Sequence, residues 1–381
     1  MQPLSSSMSA QATHSESSRP RLFDTFLKKP FMIRLRHWEY WPFSVVYLPV
    51  FIYHLYLSVR ARSLFFFSAA NPFIETGGLL GESKADILDK IAPEFVPKTL
   101  FFLAHTQHDI VFDQIDKAGL TYPIMAKPNV GERGWQVEKI EHQEGLVNYI
   151  QHSPGDFLIQ EYVSEPLELG VFYYRMPGPR SVGPRSVGPR SVGQARGVVS
   201  SVVAKEFLSV RGNGRDTIEE LIWQNERAIL QLPALRAKHG SMFQTVLFPG
   251  GTVELVAIGN HCKGTKFLDA TNLITPELTA VFDQISQSID GFYFGRYDLR
   301  CRSVADLYAG RHIRILELNG AGAEPAHIYQ PGFSIWKAWR VLLHHWRILF
   351  DISRENHRRG VPYMTLREWR RVRQRIRDNR Q

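Results

Sequence analysis

Cysteine is scarce in this chain, and its scarcity removes several kinds of protein at once. Its 381 residues hold two, Cys262 and Cys301, in no spacing that suits a metal. Neither a disulfide framework nor a cysteine-built zinc site is expected, and a reducing, cytosolic setting is the default. A secretory signal is also lacking: residues 1–20 have no short apolar core or small-residue cleavage site. Their Ser-, Gln- and Thr-rich composition reads as disorder. Nor is there a broadly basic body. The net charge is +9, but residues 353–381 carry ten arginines against Glu355, Glu368 and Asp378. A net seven of the nine excess positive charges therefore sit in one tail, whereas nucleic-acid binding calls for a basic groove on the folded body. No nucleic-acid partner is expected.

A clean membrane-length run is absent too, though one segment comes close. Residues 41–59 carry no charge and only His54 as an ionisable interruption, yet Pro42 and Pro49 cut into any helix there. The length is near the ~20 residues that span a bilayer. Trp38, Tyr40 and Trp41 stand where an interfacial belt would lie, and basic residues flank both ends, so no orientation follows. Membrane contact and burial as a helix against the body are equal expectations.

What is present is a globular composition, 44% hydrophobic and 22% charged, enough for one large or two modest domains. After a hydrophobic helical segment (21–62) and a short region (63–97), strands and helices alternate from 98 to about 330. Runs such as LTYPIMAKP, DFLIQEYV, TVELVAIG, FYFGRYDLRCR and HIRILELN read as strands. TIEELIWQNERAIL and TPELTAVFDQISQSI read as helices. This is an α+β order, with helices on antiparallel sheets. Within 178–193 the unit PRSVG occurs three times in succession, which predicts a loop between strands. In the C-terminal part, 331–381, Trp336, Trp339, Leu343, Trp346 and Phe350 are spaced as a core-facing helical stripe. Thr365 and Glu368 form a capping box opening a basic amphipathic helix, with Leu366, Trp369, Val372 and Ile376 on one face. An anionic membrane surface is the favoured partner for that helix, and an acidic patch of its own protein the other.

Three separated pieces carry chemistry. In YPIMAKPNVGERGWQV a strand delivers Lys127 to a loop with Gly131 and Gly134, where backbone N–H groups and a point charge suit phosphate. In FLIQEYVSEPLELGVFYYR a strand ends at Glu161 and Val163, with Glu168 further on; a hinge of this kind reads adenine through backbone groups and ribose through a carboxylate. Third, GRYD at 295–298 and LELN at 316–319 lie on two strands joined by a short turn. Alternation puts Glu317 and Asn319 on one face with Leu318 opposite, and Asp298 beside them. Two carboxylates and a carboxamide so crowded suit a hard divalent cation. Ion pairs with Arg296, Arg300 and Arg314 are the competing reading.

In this order the three pieces resemble the ATP-grasp superfamily over about residues 84–330, nearest the D-alanine–D-alanine ligase branch at the third. Residues 210–222, VRGNGRDTIEELI, are similar to a stretch of cyanophycin synthetase and carnosine synthase. The resemblance implies two α+β subdomains whose antiparallel sheets enclose ATP. It also implies one or two Mg²⁺, or Mn²⁺, on Asp298, Glu317 and Asn319. Lys127 would hold phosphates with Gly131 and Gly134, Glu161 and Val163 would meet the adenine, and Glu168 the ribose. Arg296 would stabilise an acyl-phosphate. Small-molecule carboxylate and amine (or thiol) substrates follow. A second nucleotide lysine is expected upstream, with Lys90 and Lys98 as candidates. His261, Lys263 and His327 either line the acceptor pocket or sit on the surface without a role. An ATP-binding regulator at a membrane and a phosphotransferase acting on a hydroxyl are the other functional classes. Two features depart from the family: the usual α/β domain ahead of the core is reduced, and the loop GAGAEPAH after Asn319 suggests a different substrate.

Overall fold

The computed structural model describes residues 27–131, 134–178, 197–256 and 259–378. The disorder expected at 1–20 and the repeat loop at 179–193 lie outside those residues.

Two antiparallel sheets organise the molecule. The smaller has the order β1 (Thr99–Phe102), β4 (Phe157–Glu161), β2 (Ile124–Pro128), β3 (Glu138–Ile140). Alternation divides its faces: Ile124, Ala126, Phe157 and Ile159 pack on helices α2 (His108–Ala118) and α3 (Gln143–His152), through Val111, Ile115, Leu146 and Tyr149. Met125, Lys127 and Gln160 are left facing a cavity.

The larger sheet has the order β11 (Ile313–Asn319), β10 (Phe294–Cys301), β5 (Leu167–Tyr174), β6 (Val198–Glu206), β9 (Lys266–Asp269). One face, with Leu169, Val171, Tyr297, Leu299 and Leu318, is sealed by helix α6 (Pro276–Ser288) through Leu278, Phe282 and Ile285. The opposite face presents Glu168, Arg296, Asp298, Arg300 and Glu317 to the same cavity as the first sheet. The architecture is thus α+β with antiparallel sheets, and the two sheets flank one cavity. A third, two-stranded sheet, β7 (Ser209–Arg211) with β8 (Thr252–Glu254), packs on helices α4 (Ile218–Trp223) and α5 (Glu226–His239). The stretch TIEELIWQNERAIL is two helices rather than one, because the Asn225 side chain caps the second by accepting from the Arg227 N–H at 3.0 Å.

The N-terminal hydrophobic segment forms a short helix, Phe43–Val46, and helix α1 (Leu48–Ala61). Among the described residues no helix is long and apolar enough to cross a membrane. Helix α1 lies against α7 (Ile335–Arg358), burying Val50 and Leu57. Glu39 and Arg227, both nearly buried and 2.7 Å apart, fasten the segment to α5.

Most of the stripe expected on α7 faces the core: Phe350 is buried and Trp339, Leu343 and Trp346 pack against it half-buried, beside the buried Ala338, Leu342, His345, Leu349 and Ile352, while Trp336 is 74% exposed. The last helix, α8 (Leu366–Asp378), opens on the expected box: the Thr365 N–H donates to Glu368 at 2.7 Å, and the Glu368 N–H to Thr365 Oγ1 at 3.3 Å. Three of the four residues of its apolar stripe are used internally, Leu366 staying 51% exposed, which corrects the preference for a membrane. Val372 is buried, Trp369 packs on Phe65 with ring centres 5.2 Å apart, and Ile376 meets Gly81. Arg375 pairs with Glu75, an acid of the protein itself.

Candidate functional site

The cavity between the sheets has a volume of about 980 Å³. Its lining includes Lys127, Gly131, Gly134, Glu161, Val163 and Glu168 from the first two sequence pieces, and Arg296, Asp298, Glu317 and Asn319 from the third. All ten candidate residues therefore meet in one space.

The third piece is assembled by strand register. Asp298 faces Glu317 directly across β10 and β11, and Arg296 faces Asn319. Gly170 on β5 stands opposite Asp298; a Cβ there would come within 3.1 Å of Asp298 Oδ1 and 2.8 Å of Val203. Glycine at that point leaves room for the charged pair. Arg296 grips Asp298 with both ends of its fork, Nε to Oδ1 at 2.9 Å and Nη2 to Oδ2 at 3.0 Å. Its Nη1 donates to the Glu324 carbonyl at 3.0 Å. Burial works against the Asp298 carboxylate, but Arg296 and Lys205 outweigh it and hold its pKa below the usual range. The competing ion-pair reading is therefore right for Arg296. It does not hold for the other two: Arg300 Nε donates to Glu168 at 2.9 Å and Arg314 turns away to the Glu94 carbonyl.

Two lysines missed in the sequence belong to the site. Lys205 on β6 is buried, 3.2 Å from Glu168 and 3.6 Å from Asp298; burial lowers its pKa, but the two acids win and raise it. Lys84, just after the Ser83 cap, donates to the Gly131 carbonyl at 2.6 Å and lies 3.7 Å from Glu317. Lys90 and Lys98 are both exposed and do not line the cavity, and the Lys98 ammonium donates to the Ala118 carbonyl.

Lys127 is shifted in the opposite direction to Lys205. Burial pushes it down to about 8, Lys84 adds repulsion, and Glu317 opposes both. Its ammonium donates to Gln160 Oε1 at 2.9 Å and to the Leu316 carbonyl at 3.0 Å, joining the two sheets across the cavity. Lys263 donates to the Gly134 carbonyl at 2.8 Å, so the glycine loop is tied down at both ends by lysines. His261 lines the cavity and stacks on Tyr40, whereas His327 is buried and bonded to Ser201 at 2.7 Å.

The second piece is more constrained than expected. Both Glu168 oxygens are taken, by Arg300 and Lys205, and the Val163 carbonyl accepts from Arg300 Nη1 at 2.8 Å. Glu161 accepts from the Lys98 backbone N–H at 3.2 Å. A ribose at Glu168 would have to displace or share one of those cations. The loop after Asn319 has a structural reason for its small residues. Ala321 and Gly322 donate backbone bonds to Gly77 and Gly78 at 3.0 and 2.7 Å, and a Cβ on Gly320 would fall 2.6 Å from the Gly77 carbonyl oxygen.

As a magnesium site the cluster offers two carboxylates and one carboxamide; among the described residues no third acid, His or Cys joins them. For an ion that keeps several waters and binds through few carboxylates plus phosphates, that number suffices. Glu317 is 36% exposed, with Lys84 as its ion-pair partner at 3.7 Å, and Asn319 uses its amide N–H on Asp298 at 3.3 Å, leaving its oxygen for a cation. Asp298 fits only through the lone pairs that Arg296 leaves open.

No protein-family model matches the sequence, and neither does any curated protein. Among solved structures, the chain is similar to the D-alanine–D-alanine ligase of Bacillus anthracis, at 11% identity and a TM-score of 0.38. That match covers 73% of this chain and 69% of that one. It is similar to the VanG D-Ala:D-Ser ligase of Enterococcus faecalis, at 15% and 0.39, covering 72% and 64%. It is also similar to the bifunctional glutathione synthetase of Pasteurella multocida, at 14% and 0.33, covering 67% of this chain and 34% of the synthetase. These are ATP-grasp enzymes. The chain thus spans under two thirds of the VanG ligase and about a third of the synthetase. At such scores the likeness decides nothing about chemistry, which rests on the chain's own residues.

Proposed function

We propose that the protein is an ATP- and magnesium-dependent ligase that joins a carboxylate to an amine, or a thiol, through an acyl-phosphate. The observation that carries this reading is the facing of two sets of groups across one cavity. Lys127 and the glycine loop come from the smaller sheet, and Arg296, Asp298, Glu317 and Asn319 from the larger, with Lys84 reaching both Gly131 and Glu317. The first set suits the phosphates of ATP, with Glu161, Val163 and Glu168 toward the nucleoside. Magnesium, held by Glu317, Asn319 and Asp298, would supply charge neutralisation at the β- and γ-phosphates.

A substrate carboxylate oxygen attacks the γ-phosphorus, and the bond to the bridging oxygen breaks to release ADP. The amine nitrogen then attacks the acyl carbon, inorganic phosphate leaves with the C–O bonding pair, and the nitrogen loses a proton. Lys127 and Arg296 are placed to stabilise the charge on the transferring phosphoryl group. ADP release stimulated by a pool of carboxylates and amines tests the reading. Both Glu317→Ala and Asn319→Ala should lose stimulated turnover by at least about 100-fold; full activity in both would sink the assignment.

Attachment to the cytoplasmic face of a membrane belongs to the same proposal. Leu48, Ile52, Leu55 and Val59 form an exposed ridge on α1, between 57% and 78% accessible, with Phe31 and Leu35 exposed just upstream. Lys28, Lys29, Arg34, Arg60 and Arg62 bracket it in sequence, a combination that suits an anionic surface. The same ridge favours the second reading, an ATP-binding regulator at a membrane without ligation. Tight ATP binding with no stimulated turnover would select it.

A further inference from the structure

Nucleotide and clamp residues account for only part of the cavity wall. The cavity is also lined by Trp41, Phe51, Phe67, Leu342, Trp346 and Leu349, among other residues of 41–80 and 342–369. Those two stretches contribute no Asp, Glu, Lys or Arg to the lining. Their ionisable members are Tyr47, His54 and His345; burial lowers the pKa of both histidines, so at neutral pH this wall is uncharged. A wall of this extent would be wasted on two small polar substrates, because water against it makes few hydrogen bonds and gains by leaving. It is also open. Phe43, Phe51 and Leu64 line the cavity while 45%, 45% and 56% exposed, so the apolar part reaches solvent beside the α1 ridge.

Where the wall meets the clamp, the polar group is an acid. Glu324 receives the hydroxyls of Tyr47 and Tyr329 on its two oxygens. Among the described residues no lysine, arginine or histidine nitrogen forms an ion pair with that carboxylate; Arg296 feels its charge from nearby but spends its fork on Asp298 and bonds only to the Glu324 backbone. Tyr47 belongs to both neighbourhoods, as a wall residue and as a donor to Glu324. A cationic head at Glu324 with an apolar chain running past Tyr47 and Phe51 satisfies both.

We propose that the acceptor is an amphiphilic primary amine, its ammonium group held at Glu324 and its hydrocarbon chain in the channel between α1 and α7. Naming it the acceptor rests on the ligase reading; the binding site itself does not.

The test is calorimetric titration of the full-length protein with n-alkylamines from butylamine to dodecylamine, kept below micelle formation, and with n-alkanoates of the same lengths. Each added methylene should tighten amine binding by about fourfold until the channel is full, with a negative heat-capacity change. Phe51→Asp, at the half-exposed mouth, should flatten the rise for the longer chains alone. Glu324→Gln should weaken every amine by a similar factor, while ATP binding, measured in the same samples, reports that the variant is folded. Affinity independent of chain length would overturn the proposal, and so would tighter binding of alkanoates than of amines. Because no turnover is read, the two ideas fail separately. Turnover of short substrates with no chain-length dependence sinks the amphiphile and leaves the ligase. Chain-length dependence without turnover does the reverse.

Discussion

Replacing Lys127 by methionine should make the protein more stable at neutral pH while removing its affinity for ATP. The ammonium is buried, and its pKa is pushed down to about 8 from the 10.5 of a free lysine. Keeping it charged therefore costs the fold about 3 kcal/mol at pH 7. Methionine fills a similar volume without that cost but gives up the bonds to Gln160 and the Leu316 carbonyl, about 1 kcal/mol each. The balance is a gain of about 1 kcal/mol. The sign reverses at high pH. Between about 8 and 10.5 the unfolded lysine still binds a proton that the folded one has released, so wild-type stability rises with pH and overtakes the variant. Urea unfolding followed by tryptophan fluorescence at pH 7 and 9.5, with ATP binding alongside, measures all three effects. The reasoning is refuted if the variant is less stable at pH 7, or if the difference between the two proteins does not change sign.

Other perturbations have equally defined outcomes. Arg296→Ala leaves Asp298 buried with Lys205 at 3.6 Å as its remaining cation, and should cost about 3–5 kcal/mol in denaturant unfolding; a loss under about 1 kcal/mol would mean the pair matters little. His345 has its pKa lowered to about 4, by burial first and by His344 and His327 besides. The unfolded histidine takes up its proton near 6.5, so this group withdraws stability as pH falls from 6.5 to 4. His345→Gln should shrink that acid loss by about 2–3 kcal/mol in a pH series of melts. Gly320→Ala drives a Cβ into the Gly77 carbonyl and should lower the melting temperature by several degrees, on the order of 2 kcal/mol; an unchanged Tm would show that the loop yields freely.

Some of this arrangement is legible in one dimension. The side-chain period of a strand is two, so Glu317 and Asn319 had to share a face with Leu318 opposite, and the register of β10 with β11 puts Asp298 against Glu317. A short turn between two strands makes that pairing local. Lys205 is different. It reaches Asp298 only because β5 lies between β10 and β6, an order settled by the pairing of β5 with β10, where Gly170 stands opposite Asp298 far along the chain. Lys84 is hidden for a similar reason: its loop is placed by a backbone bond from Lys84 to the Asn129 carbonyl and by Ser83 and Asn129 side chains. Helices α2 and α3 and strands β1, β3 and β9 are short or mixed in pattern, and tertiary contacts decide them. The ten-arginine tail misleads in the opposite way. Its charge suggested an external anionic surface, but most of its apolar stripe was already spoken for by Phe65, Phe67 and Gly81.

Helix α1 lends Phe51 and His54, together with Tyr47 at its N-cap, to the cavity and an adjacent stripe, Leu48, Ile52 and Leu55, to the surrounding medium. A single rigid rod thus faces two environments. Whatever settles on its outer stripe and prefers one tilt of the rod must alter occupancy of the inner space, and by thermodynamic necessity the occupant must alter attachment by the same factor. Measured affinities inside and outside would then be properties of the pair, and neither would be transferable to a protein studied in the absence of the other.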